Sequence, residues 1–94
     1  MKRIVWSDPA LSDLHSVHRY IARDSEIYAD AVILDILESV ERLLDYPQSG
    51  REVPELEDGM TREIIVGNYR VMYSVERDTI SILTVLHGAR KFPA

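Results

Sequence analysis

The strongest constraint in this chain is a change of hydrophobic period partway along it. Upstream of Pro47 the apolar residues recur every three or four positions, and downstream of Gly59 they recur every second position, so helices come first and strands later. The second helix is the clearest element: Ala29, Val32, Ile33, Ile36, Leu37, Val40, Leu43 and Leu44 form a broad apolar stripe between Asp30, Asp35, Glu38, Glu41, Arg42 and Asp45, and the pattern stops before Pro47. An earlier helix carries Leu11, Leu14, Val17, His18, Ile21 and Ala22 at the same spacings, takes Ser7 or Asp8 as its cap and Pro9 in its first turn, and ends near Asp24-Ser25. Two helices with one apolar face each, joined by a short break around Asp24 to Glu26, pack most economically as an antiparallel hairpin on a common layer.

That layer is predicted to be a sheet. Lys2 to Trp6 reads as a short edge or central strand, stopped by the turn-forming Ser7-Asp8-Pro9. From Gln48 to Gly59 periodicity is lost, which predicts a loop holding one short strand around Arg51 to Pro54. Alternation then runs through Arg62 to Val66, Tyr69 to Val75 and Thr79 to Leu86. Gly67-Asn68 supplies the positive φ angles of a tight hairpin turn and Arg77-Asp78 makes the next one. The predicted fold is α+β, in the order β-α-α-β-β-β(-β), with an N-terminal helical hairpin packed on an antiparallel sheet; a length of 94 residues fits a single domain over 1–94.

A hydrophobic fraction of 46% with 29% charged residues is that of an ordinary globular chain with a core to bury. The complete lack of cysteine removes disulfides, thiolate nucleophiles and thiolate metal sites, so the fold must hold by packing. The apolar run before Ser7 is too short for a signal peptide or a membrane span, and a cytoplasmic location with no membrane partner is expected. A net charge of −5 disfavours tight nucleic-acid binding, which draws on phosphate neutralisation. The charge is uneven, however: Arg62, Arg70, Arg77, Arg90 and Lys91 face only Glu63, Glu76 and Asp78 in the segment from Arg62 onward, which leaves a local cationic patch open.

Several segments, in order, resemble the RelE/ParE toxin superfamily: Ser7-Asp8-Pro9-Ala10, Asp13-Leu14 and Tyr20-Ile21-Ala22; Tyr46-Pro47-Gln48-Ser49-Gly50-Arg51 before Pro54-Glu55-Leu56; Arg62 to Tyr73; and Ile82 to Arg90. The match runs from Val5 to about Pro93, and the ParE-like branch is the nearer one. The resemblance implies a toxin of a type II toxin–antitoxin pair, neutralised by direct contact with a cognate antitoxin in a hetero-oligomer. It also implies one of two targets. ParE-like members are described as poisoning DNA gyrase, with a role in plasmid stabilisation and growth arrest, and RelE-like members cut mRNA in the ribosomal A site. A third reading is a non-toxic module that keeps only the antitoxin contact.

Cutting RNA at a 2′-hydroxyl needs a base, positive charge at the phosphate and an acid for the leaving oxygen. On the ribonuclease reading Arg62, Arg70, His87 and Arg90 would supply these, Arg70 matching the arginine that RelE-like enzymes keep after a tyrosine on this strand. The second basic position of the preceding strand falls on Ile64, and the last residues, Phe92-Pro93-Ala94, lack the terminal tyrosine of RelE-like enzymes. The gyrase reading is therefore favoured and no catalytic residue is assigned. The residues expected to contact antitoxin or target are Leu14, His18, Arg62, Tyr69, Arg70, Tyr73, His87 and Arg90, the arginines and tyrosines forming one open face of the kind common at protein interfaces.

His15 and His18 stand three apart on the first helix without a third ligand at a fitting spacing, so no metal and no cofactor is expected. His18 reads as half-buried beside Val17 and Ile21, at a place where ParE-like sequences often carry an aromatic residue. Trp6 reads as core. Tyr20, Tyr28 and Tyr46 read as packing residues with wet hydroxyls.

Overall fold

The structure, a computed structural model, describes residues 2–88. Its elements are β1 (Arg3–Trp6), α1 (Asp8–Ala22), α2 (Glu26–Glu41), a 3-10 turn (Arg42–Leu44), β2 (Arg51–Glu52), β3 (Thr61–Val66), β4 (Tyr69–Val75) and β5 (Thr79–His87). Each helix starts where a serine can satisfy an orphan backbone donor: Ser7 Oγ accepts from the Ala10 N–H and Ser25 Oγ accepts from the Tyr28 N–H. The first helix accordingly stops at Ala22 rather than near Asp24-Ser25, because Ser25 serves the second helix.

The five strands form one sheet in the order β1-β5-β4-β3-β2. The predicted meander is there, with β2–β3, β3–β4 and β4–β5 all antiparallel. β1 adds to it in parallel, Arg3 opposite Thr79 and Trp6 opposite Ile82, which makes the sheet mixed. Residue periodicity marks a strand but carries no information on the direction of its partner, so this pairing is visible only in three dimensions. The β3–β4 turn also differs in detail: Gly67 has φ of 58° while Asn68 is not in the positive region, the pattern of a type II′ turn with glycine first.

Both helices cover one side of the sheet. Ala10 and Leu14 from α1 and Ile36 and Val40 from α2, with Leu43 from the turn after it, bury against Val66, Val71, Tyr73, Ile80, Ile82 and Val85, and Ile4 and Trp6 of β1 close the end. Leu37, expected in the buried stripe, is exposed instead. No helix of the described residues is long and apolar enough to cross a membrane.

A β-bulge fixes how α1 lies on β5. The β4–β5 register shifts between Met72 and Tyr73, so that Thr84 faces the first and Ile82 the second, leaving Leu83 extra. Helix α1 is built to meet the irregular backbone there. Ser7 Oγ donates to the Leu83 carbonyl at 3.1 Å, while Asp13 Oδ2 accepts from the Thr84 hydroxyl at 2.7 Å and from the Val85 N–H at 2.9 Å. On the far side of the sheet the β2–β3 loop, residues 53–60, turns back through Asp58, whose Oδ1 accepts from both the Met60 and Thr61 N–H groups while its Oδ2 accepts from the Thr61 hydroxyl. These bonds, the Thr61 N–H foremost, hold the Asp58 carboxyl below the usual carboxylate range.

Replacing Asp13 by Ala strips the Val85 N–H and Thr84 hydroxyl of their acceptor in partly buried surroundings, and urea denaturation is expected to register a loss of about 1 to 3 kcal/mol. Asp58 acts through pH. Because its folded-state pKa lies below that of the unfolded chain, its contribution is present above the ordinary carboxylate pKa and disappears as pH falls through the folded-state value. Asp58→Asn should flatten the acid side of a melting-temperature-versus-pH curve relative to wild type; parallel acid limbs would show that the turn does not sense this carboxylate.

Candidate functional site

Alternation along β4 decides the fate of the expected arginine and tyrosine face. Tyr69, Val71 and Tyr73 share the helix-covered side with Val66, Ile64 and Arg62 opposite them on β3, while Arg70 and Met72 point to the other side, where Ile65 and Glu63 are their partners. The candidate residues of these two strands are thus divided between two faces of one sheet, and among the described residues they do not form the single open surface predicted for them.

On the far face Arg70 lies in a buried charge cluster. Glu63 has no exposed side-chain surface, and its two oxygens accept from Arg51 Nε at 2.6 Å and from Arg70 Nε at 2.7 Å. Arg70 also grips Glu55 with both terminal nitrogens, Nη1 to Oε2 at 2.7 Å and Nη2 to Oε1 at 2.8 Å. The fork-to-fork geometry matches guanidinium to carboxylate. Glu55, and then Glu63, drive the Arg70 pKa further above its ordinary value, against the opposing effect of burial. All three guanidinium nitrogens therefore serve the fold, and the β2–β3 loop carrying Glu55 is held down on the sheet.

On the helix-covered face Tyr73 is fully buried, and its hydroxyl accepts from the Gly50 N–H at 2.9 Å. Arg62, directly across from Tyr73, donates from Nη1 to the Gly50 carbonyl at 2.7 Å. Both residues thus converge on one backbone unit. A Cβ on Gly50 would stand 2.6 Å from the Tyr73 hydroxyl oxygen and 2.5 Å from the Glu63 carbonyl, so only glycine fits. Burial pushes the Tyr73 phenol up, and it stays neutral and able to accept.

The remaining candidates lie elsewhere. Tyr69 and His87 are register partners at the end of β4 and β5, their rings edge to face at 5.6 Å. Leu14 is a core residue. His18 reaches across the hairpin to Asp30, Nε2 to Oδ1 at 2.7 Å, with both side chains substantially exposed. Arg90 falls outside the described residues. Tyr20, Tyr28 and Tyr46, expected to pack, are exposed at 68%, 58% and 67%; the Arg23 guanidinium sits over the Tyr20 ring, 5.7 Å from its centroid. Trp6 is partly buried against the core, as expected.

Sequence reasoning missed Glu63, Glu55, Arg51 and Gly50. A signal was present for Glu63: an acidic residue between Arg62 and Ile64 in an otherwise half-apolar strand needs a cation, and the next strand offers Arg70.

The exposed surface of the hairpin is apolar in a regular way. Leu11 precedes His18 by seven residues and Leu37 follows Asp30 by seven, two helical turns in each case, so in an antiparallel hairpin joined at His18 and Asp30 they come to the same level and face. Ile27, Leu34 and Leu37 stand three, four and seven positions from Asp30 on α2, and all are exposed, Ile27 at 85%. Helix α2 therefore carries a second apolar stripe on the side away from the sheet.

Comparison with known proteins agrees with this architecture. The family described as the ParE toxin of the type II toxin–antitoxin system parDE matches residues 4–92. A putative toxin, Y4kP, of Sinorhizobium fredii is 35% identical over 98% of this chain and 94% of its own length. Toxin RelE2 of Caulobacter vibrioides is 31% identical over 96% and 99%. In fold the chain is similar to a solved structure of the chromosomal ParDE toxin–antitoxin system from P. aeruginosa, with a TM-score of 0.77 and 22% identity over 93% of this chain and 96% of that one. With a family match over nearly all its length and full-length relatives that are toxins, this chain belongs to the ParE toxin family of type II toxin–antitoxin systems.

Proposed function

We propose that this toxin is silenced by a cognate antitoxin whose amphipathic helix lies along the outer apolar stripe of the hairpin, and that its cellular target is DNA gyrase rather than ribosome-bound mRNA. The observation that carries the choice of target is the state of Arg70. A ribonuclease would need that guanidinium at the scissile phosphate, yet it is buried with all three nitrogens bonded to Glu63 and Glu55. Arg62 is turned to the Gly50 carbonyl, and Ile64 stands where a second cation would be needed. Both arginines are thus engaged by the fold. Membership of the ParE family points the same way.

For the antitoxin, support comes from Leu11, Ile27, Leu34 and Leu37, an exposed apolar set at helical spacing of the kind that receives a partner helix. Co-purification with the product of the neighbouring reading frame tests the pairing, and supercoiling by purified gyrase, with and without the released toxin, tests the target. Inhibition of supercoiling is expected; cleavage of mRNA on programmed ribosomes with gyrase unaffected would overturn the gyrase reading. Saturating antitoxin should also raise the melting temperature, by about 2.7 kcal/mol of added stability at a hundredfold excess over Kd.

A structural Arg70 predicts a particular mutational pattern. Arg70→Met leaves Glu63 and Glu55 buried without their shared cation, and denaturation should show a loss of about 3 to 5 kcal/mol. Pairing it with Glu63→Met should recover part of that loss. Arg70→Lys protein that remains folded should still inhibit gyrase, whereas a catalytic arginine would lose activity without losing stability.

A further inference from the structure

One concavity lies apart from the outer apolar stripe and from the charge cluster. It is a cavity of about 130 Å³ between α2 and the β3–β4 hairpin, lined by Tyr28, Ala31, Val32 and Asp35 on the helix and by Val66 to Tyr69 on the hairpin. The helical residues are spaced at three, four and seven, so they present one face, with Tyr28 at one end and Asp35 two turns away. Ala31 between them leaves room. Tyr69 approaches from the sheet, and its phenol is pushed up by burial and then by the neighbouring Tyr28 and Tyr20 phenols.

Three features define what such a notch accepts. Its lining includes the rings of Tyr28 and Tyr69, and aromatic rings attract guanidinium and ammonium groups. Asp35 supplies a carboxylate, and among the described residues no hydrogen bond or ion pair engages it. No lysine or arginine lines the cavity, and α2 carries Glu26, Asp30, Asp35, Glu38 and Glu41 with no basic residue. The charge along this helix therefore favours a cation over an anion. The chain itself provides the precedent a short distance along the hairpin, where the Arg23 guanidinium lies over the Tyr20 ring. The planar guanidinium stacks on aromatic rings and forks onto a carboxylate, two things that this lining offers together.

We propose that the notch is a subsite for an arginine side chain of a partner polypeptide, its guanidinium held between the Tyr28 and Tyr69 rings and the Asp35 carboxylate. The subsite adds to the outer apolar stripe a point of charge recognition on the opposite flank of Ala31. It does not depend on the toxin reading, since it follows from the cavity alone.

The test is an NMR titration of the full ¹⁵N-labelled chain with the capped tripeptide Ac-Ala-Arg-Ala-NH₂, beside the same tripeptide carrying citrulline, the neutral isostere of arginine. At about 150 mM salt, where exposed charges are screened beyond roughly 8 Å, the arginine peptide should give saturable shifts confined to residues 28–35 and 66–69, and citrulline should bind roughly 5-fold more weakly. Asp35→Asn and Tyr28→Ala each should weaken the arginine peptide by about 3- to 5-fold with the spectrum elsewhere unchanged. Equal response to citrulline, shifts spread over other acidic surfaces, an unaffected Asp35→Asn protein, or no saturation by about 20 mM peptide, well beyond the weakest useful affinities, would each overturn the proposal. Peptide binding without any co-purified antitoxin would leave the subsite standing and remove the proposed antitoxin pairing, and the reverse result would do the opposite.

Discussion

The fully buried carboxylate of Glu63 is the constraint around which the far side of the sheet is organised. An ionised carboxylate removed from water is tolerable only if cations and donors replace its hydration. Glu63 sits on β3, with β2 on one side and β4 on the other, and each neighbour supplies an arginine: Arg51 to one oxygen and Arg70 to the other. Two cations on one anion leave charge over, and Glu55 from the β2–β3 loop takes it up through Arg70. A two-residue edge strand and a loop without periodicity are thereby tied to the middle of the sheet. Buried ion pairs contribute little net stability beside an apolar equivalent, but a misplaced strand would leave one of these charges alone, which is expensive. The cluster therefore acts on register more than on stability.

The helix-covered face solves a related problem without a carboxylate. Tyr73 carries its hydroxyl through the core to Gly50, and Arg62 lies beside it and closes the Gly50 carbonyl. The segment before β2 is thus gripped from one face by a phenol and a guanidinium, and its continuation is gripped from the other by the charge cluster. The similarity of Tyr46 to Arg51 and of Arg62 to Tyr73 to toxin sequences has a physical counterpart here: the two segments are bonded to each other, and Gly50 has no space for a side chain.

Much of the architecture was legible because it rests on period. The helical stripes, the Ser7 cap, the Gly67 turn and the three long strands each announce themselves within a window of a few residues. What was not legible depends on pairing between distant segments. The parallel partnership of β1 with β5 joins residues more than seventy positions apart, and a strand's own sequence does not record its partner's direction. The site suffered more for the same reason. Arg70 and Tyr73 look like interface residues by type, but alternation sends them to opposite faces and long-range partners absorb them both. Exposed tyrosines failed in the other sense: Tyr20 and Tyr28 lie on helical faces whose covering layer was assumed, and both remain largely exposed.

The exposed side of α2 gives the net charge of −5 a meaning that composition alone did not. Ile27, Leu34 and Leu37 would make the free chain prone to self-association, because contiguous exposed apolar surface is an adhesive. Five acidic residues share that helix with no basic one, so two copies brought together by their apolar stripes would also bring together like charges. The same acidity that disfavours nucleic acid as a direct partner therefore disfavours a second copy of the chain and favours a polypeptide carrying apolar residues at helical spacing with cations among them. Selection against the wrong partner by charge, and for the right one by shape and burial, needs no change in the core.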